Sequence, residues 1–85
     1  RGEVVDITTL NNLDAEIFEY EVKSSSKVAN SKIKDLDLPR SAIIGGVIKE
    51  GEGIIALGDY IILPDDRVVV CCLPEAVEKV ESLFS

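Results

Sequence analysis

Two short runs, Ala42-Ile43-Ile44-Gly45-Gly46-Val47-Ile48 and Val68-Val69-Val70-Cys71-Cys72-Leu73, are apolar at successive positions rather than at alternate ones. Side chains along a strand point to its two faces in turn, so each run asks for burial on both sides. A chain of 85 residues has little interior to offer them. A domain of this size hides only about three fifths of the surface its unfolded form exposes, and it usually leans on a staple or a partner. The staples are quickly excluded. There is no His, and the only two Cys are the adjacent Cys71 and Cys72, so neither a zinc site nor a disulfide framework can be assembled. A bond between neighbouring Cys is strained, and both follow a run of Val. They read as buried free thiols of a reducing compartment. A partner surface is the remaining expectation.

Composition narrows the function. Without His, only carboxylates, Lys and Cys are left for catalysis, and no Ser stands beside a plausible base, so no catalytic residues are assigned and the chain is not expected to be an enzyme. A net charge of −7 with four aromatics, Phe18, Tyr20, Tyr60 and Phe84, suits neither a phosphate backbone nor stacked bases, and no nucleic-acid partner is expected. No apolar run approaches the roughly 18 residues of a membrane span, and no signal peptide is visible. The chain starts at Arg1 and lacks Met, so it reads as a segment of a larger cytosolic protein.

Residues 1–14 carry Val4, Val5, Ile7, Leu10 and Leu13 among polar residues and end near Asn11-Asn12: a linker or a leading strand. Residues 15–22 form a strand with Phe18, Tyr20 and Val22 on one face and Glu19 and Glu21 on the other. Ile17 beside Phe18 breaks the alternation, which a bulge or two-sided burial would explain. After Ser24-Ser25-Ser26, the spacing of Ala29, Ile33 and Leu36 predicts a short helix capped by Asn30 or Ser31, ending before Pro39. Residues 42–48 and 53–57 then form a hairpin around Lys49-Glu50-Gly51-Glu52. A further short strand is predicted at 60–63, a turn at Pro64-Asp65-Asp66 and a last strand at 67–73. Pro74 opens a final helix, with Glu75 complementing its dipole and Ala76, Val77, Val80, Leu83 and Phe84 on its apolar face.

The predicted class is α+β, in the order β-α-β-β-β-α: a sandwich of one mixed or antiparallel sheet with two helices on one face. The second face of the doubly apolar strands then needs cover, either from another domain of the parent protein or from a second copy. A homodimer is the favoured reading.

The ordered set of segments resembles the TrkA C-terminal domain family, also called RCK-C, across residues 15–85. The resemblance rests on the strand ending at Ser26, on Ser31-Lys32-Ile33-Lys34-Asp35-Leu36-Asp37-Leu38-Pro39, and on the Ile-rich strand from Ala42 to Lys49 with Glu50-Gly51 and Ile54-Ile55. It continues through Gly58-Asp59, Leu63, Asp66, Val68-Val69-Val70 and Pro74, while Arg1-Gly2-Glu3-Val4-Val5 with Thr9-Leu10 is similar to the segment joining the two halves of TrkA proteins. The chain departs from the family pattern at Asn30 and Asp65, where many members have Gly, and at Gly45-Gly46, where larger residues are common. Asn tolerates left-handed backbone and Asp does so less comfortably. The paired glycines either lie open to a ligand or mark a close crossing of backbone.

The resemblance implies a non-catalytic, cytosolic regulatory domain that dimerises and senses a ligand for a Trk-type potassium uptake system, held at the inner membrane by a potassium-translocating subunit. It implies no cofactor in this segment and a nucleotide, NAD or ATP, on an RCK-N domain of the same parent chain. It also implies a small anionic ligand such as cyclic di-AMP, with Lys34, Leu38, Pro39, Arg40, Ala42, Ile43 and Ile44 as the positions beside it. Charge patterning is compatible with this: residues 23–40 carry Lys23, Lys27, Lys32, Lys34 and Arg40 against Asp35 and Asp37, a basic island of +3 in an acidic chain. A solvated helix face is the favoured explanation of the island. Glu16, Glu19, Glu21, Asp65 and Asp66 could converge on a hard cation, but solvated strand and turn positions account for them and no metal site is assigned. The alternative is a purely structural dimerisation domain of another cation or carboxylate transporter.

Overall fold

The computed structural model describes residues 3–9 and 14–85. Five strands, β1 (Glu3–Thr9), β2 (Glu16–Glu21), β3 (Ala42–Lys49), β4 (Glu52–Ile54) and β5 (Arg67–Cys72), form one sheet in the order β1-β2-β5-β3-β4. Every neighbouring pair is antiparallel. A 3₁₀ turn at Pro74–Ala76 leads into the helix α1 (Val77–Leu83). The class is α+β, as the pattern of apolar residues predicted.

The two doubly apolar runs lie side by side. β5 is central, with β2 on one edge and β3 on the other, so Phe18 is paired with Val70, and Val70 in turn with Ile44. Phe18, Tyr20, Val22, Val68, Val70, Cys72, Ala42 and Val47 are all buried on the face covered by α1. From the C-terminal segment Ala76, Val80 and Phe84 are buried with them, and Val77 and Leu83 pack against the same cluster. The Phe84 ring lies parallel to Tyr20 with centroids 4.5 Å apart and 8° between planes. Such a pair adds about 0.5–1.5 kcal/mol to the area it buries. Pro74 stands at the start of this segment, where its missing N–H costs nothing.

The opposite face carries the other half of each strand. In register across it run Ile17, Cys71 and Ile43, with Val69 and Gly46 in the next row. Ile43 is 62% exposed, so the second side of β3 is open to solvent in the isolated chain. Ile17 and Phe18 take opposite faces without a bulge in β2; the irregularity lies instead in β1, between Val4 and Asp6, and in β3, between Ile44 and Gly46.

Two elements differ from expectation for a shared reason. The predicted helix at 30–36 contracts to a 3₁₀ turn, Ile33–Asp35, and the predicted strand at 60–63 is reduced to one bridge, Lys32 with Ile61. The two segments hold each other. The Asn30 amide donates to Ile62 O at 2.6 Å, Ile62 N to Ser31 O at 2.9 Å, Ile33 N to Tyr60 O and Lys34 N to Gly58 O at 3.0 Å each. Asn30 at φ +66 turns the chain, and Lys32 and Leu36 are extended. Too few residues remain before Pro39 for a full helical turn to propagate. The leading strand of residues 1–14 is β1; residues 1, 2 and 10–13, with the Asn11-Asn12 turn, lie outside the described residues.

Candidate functional site

The seven predicted ligand positions are spread over three surroundings. Arg40, Ala42 and Ile43 line a shallow depression of about 220 Å³ where β3 begins and β5 ends, together with Ala15, Ser41, Cys71, Cys72 and Leu73. Backbone pairing builds it: Leu73 N donates to Ser41 O at 2.9 Å, and Ala42 and Ile43 face Cys72 and Cys71 in register. Ala42 is buried toward the core while Ile43 points out, as strand alternation demands. Ile44 turns back to pack on the core, and Leu38 does the same from the preceding loop. Pro39 is half-buried, its carbonyl accepting from the Ala42 amide at 3.1 Å. Lys34 is in the 3₁₀ turn, where its ammonium meets Asp59 at 2.9 Å.

Two ion pairs tie the basic island to the rest of the domain: Lys34 pairs with Asp59, and Asp37, one of the island's own acids, is taken by Lys79 at 3.0 Å. Lys27 reaches Ser82 Oγ at 3.4 Å. Arg40 has no ion pair among the described residues, which leaves it as the cation at the rim of the depression. An exposed guanidinium beside apolar Ile43 and Leu73 offers charge and a flat apolar contact together.

Cys71 is half-buried and Cys72 buried, and both thiols are free. Burial pushes the Cys72 thiol up, and the nearby Glu16 carboxylate and Cys71 add to it. A raised thiol is a poor nucleophile at neutral pH.

The strongest polar constellation is one the sequence analysis passed over. Asp66, 2% exposed, accepts from Lys49 Nζ at 2.7 Å on one oxygen, and from Tyr60 OH at 2.8 Å and the Leu63 amide at 3.0 Å on the other. In the sequence Lys49 belongs to the 49–52 turn and Asp65-Asp66 to the 64–66 turn. They meet because β3 and β5 are neighbours and Val22 holds the second turn, its amide donating to Asp66 O at 2.9 Å and its carbonyl accepting from Asp65 N at 2.8 Å. Burial alone would raise the Asp66 carboxyl, but the bonds from Lys49, Leu63 and Tyr60 together hold it below the ordinary carboxylate range. The Asp66 hydrogen bond raises Lys49, and burial followed by that same carboxylate raises Tyr60. All three groups stay in one protonation state around neutral pH, so the arrangement is a clasp between the loop and the sheet. A polar loop residue repeating as Asp-Asp with a lone Lys at a strand end was the only sequence signal for it.

Asp65, beside the clasp, sits at φ +76 and Asn30 at φ +66, both in the left-handed region. Of the paired glycines, Gly46 marks a close crossing: a Cβ there would lie 3.0 Å from Ile54 O. Glu19 pairs with Arg67 at 3.3 Å across β2 and β5 rather than with its strand neighbours.

The profile of the TrkA-C domain matches residues 17–85. The chain belongs to the TrkA-C family. Over 78 residues it is 35% identical to Trk system potassium uptake protein TrkA homolog 2 of Methanosarcina mazei, an alignment covering 92% of the chain and 17% of that relative. It is 30% identical over 84 residues to Trk system potassium uptake protein TrkA of Azorhizobium caulinodans, covering 99% of the chain and 18% of the relative. The chain therefore spans less than a fifth of the length of these curated relatives. In fold it is similar to a solved structure described as "Structure of RCK domain with cda", with a TM-score of 0.65 and 20% identity over 81% of the chain and 97% of that structure. TrkA-C is a regulatory domain family. Among the described residues, no helix is long and apolar enough to cross a membrane.

Proposed function

We propose that this TrkA-C domain is a non-catalytic, cytoplasmic regulatory module of a Trk-type potassium uptake system. The observation that carries the reading is the family match over residues 17–85, with relatives named as Trk potassium uptake proteins. The domain acts as a dimer and couples a small anionic ligand to a potassium-translocating membrane subunit through the RCK-N domain of its parent, where a nucleotide, NAD or ATP, is held. Cyclic di-AMP is the ligand of choice for a first test. The depression at Arg40, Ala42 and Ile43 supports this placement, because it pairs a cation that has no ion pair among the described residues with an exposed apolar side chain. Lys34, Leu38, Pro39 and Ile44 complete the proposed set from the flanking loop and strand.

Calorimetric titration of the 85-residue chain with cyclic di-AMP, alongside its mass by sedimentation equilibrium, tests both parts. Saturable heat that is lost in Arg40→Ala, with a mass twice the monomer's, is the expected result. Absence of heat overturns the ligand, and a monomer at every concentration overturns the dimer. Potassium-limited growth after deletion of this segment from its parent gene reports on the regulatory role, with growth indistinguishable from the intact strain as the outcome against it.

A further inference from the structure

Beyond that reading, the outer face of the sheet carries a second surface with its own chemistry. Gly45, Gly46, Ile48, Gly53, Ile55 and Val69 line an apolar groove of about 310 Å³ between β3 and β4. Three glycines make its floor, and they are not equivalent. None lies at positive φ. Gly46 has a reason inside the domain, the Ile54 carbonyl that a Cβ would crowd at 3.0 Å. Gly45 is the extra residue of the irregularity in β3, where a Cβ would make only ordinary contacts, 3.7 Å at the nearest, whereas at Gly53 a Cβ would meet open space and no such internal reason stands. Glycine within a strand costs backbone entropy and forgoes packing. At Gly53, where neither a left-handed turn, internal crowding nor a bulge accounts for it, the remaining physical use is to let something from outside approach the backbone. The flank of the groove, Ile55, is 81% exposed and supplies an unpacked apolar wall.

At Ile48 the groove runs into a polar cleft of about 360 Å³ lined by Glu50, Gly51, Asp65 and Arg67. Glu50 and Asp65 have no ion pair among the described residues, while the Arg67 guanidinium is engaged by Glu19 at 3.3 Å. Among the described residues, the cleft thus presents two unpaired carboxylates beside an apolar trough. Charge complementarity selects against an acidic occupant, and therefore against a phosphate-bearing ligand or a second copy of this acidic surface laid face to face.

We propose that this surface docks a peptide segment of a partner protein in which a bulky aliphatic or aromatic residue is followed closely by Lys or Arg. The apolar side chain lies over Gly45 and Gly53, and the cation reaches Glu50 and Asp65 past Ile48. The apolar contact supplies affinity and the carboxylates supply register and salt sensitivity.

The test is selection of a randomised octapeptide display library on the 85-residue chain, followed by fluorescence anisotropy with the recovered peptides. Peptides carrying the apolar residue with Lys or Arg within two positions are expected, with binding that weakens as salt is raised. Gly53→Val fills the trough where there is open space, and it should weaken binding at least tenfold while leaving the urea midpoint nearly unchanged. The Glu50→Gln/Asp65→Asn pair, which keeps side-chain size and the left-handed tolerance at 65, should weaken it tenfold and flatten the salt dependence, and it decides the matter if Gly53→Val does not fold. No enrichment, enrichment without a basic residue, or binding untouched by both variants overturns the proposal. So does a dimer of the unliganded chain that Gly53→Val dissolves, because a second copy would then occupy the groove.

Discussion

Replacing Asp66 by Asn keeps the size of the side chain and removes only its charge. In the native chain one carboxylate oxygen accepts from Tyr60 OH and the Leu63 amide, and the other from Lys49. An amide oxygen can retain the first two bonds, but as neutral ones, which falls from about 1.5–3 kcal/mol each toward about 1. The amide NH₂ then faces the Lys49 ammonium, and Lys49, with a third of its side chain already in water, swings out to solvent. From Tyr60 and Leu63 together the loss is about 2 kcal/mol, equivalent to roughly 8–16 °C in Tm for a domain of this size. Urea unfolding followed by far-UV circular dichroism at neutral pH measures it, and an unchanged m-value would show that the effect lies in stability. The pH dependence supplies an independent check. The Asp66 carboxyl is depressed in the folded state, so its contribution is fully present above the unfolded value near about 4 and is lost as pH falls through the folded one. Native and Asp66→Asn unfolding curves should therefore converge on acidification. A difference below about 0.5 kcal/mol at pH 7, or a gap that stays constant down to pH 3, would refute the view of Asp66 as a charged clasp.

Tyr60 is raised in the folded state, so its contribution holds below the unfolded value near about 10 and fades as pH rises through the folded one; Tyr60→Phe should flatten the alkaline limb of the stability profile. Phe84→Ala removes the ring stacked on Tyr20 and should cost about 3–5 kcal/mol in urea unfolding, with cooperative folding lost if the total stability is at the low end for small domains. Gly46→Ala drives a Cβ against the Ile54 carbonyl and should destabilise by about 1–3 kcal/mol, with amide exchange accelerated first in β4. At φ +76, Asp65→Ala should cost about 1 kcal/mol while Asp65→Asn stays close to native, a contrast that melting curves resolve.

Much of the fold was legible because its signals are local. The alternation of Phe18, Tyr20 and Val22 with Glu19 and Glu21 identifies both faces of β2, and Pro74 with Val77, Val80 and Phe84 identifies the closing helix and the side it buries. Asn30 and Asp65 were readable as left-handed positions from the family pattern. The segments at 30–36 and 58–63 misled for the opposite reason: each has the spacing of a regular element, yet its amides are spent on the other segment, far away in sequence. Periodicity reports which side chains seek burial; it does not report where the backbone finds its hydrogen-bond partners.

The proposed ligand positions show the same division. Ala42 and Ile43 come together because strand pairing sets them opposite Cys72 and Cys71, with Arg40 at the rim just before β3, whereas Lys34 is drawn aside by Asp59. The sequence by itself determined that two strands would be apolar on both sides and that no staple was available to compensate. Tertiary structure alone decided that those strands are adjacent, that α1 covers one face and leaves Ile43 and Ile55 bare on the other, and that Lys49 meets Asp66. The reason is that apolar periodicity acts between near neighbours in the chain, while sheet order and buried ion pairs are settled by contacts between residues far apart in it.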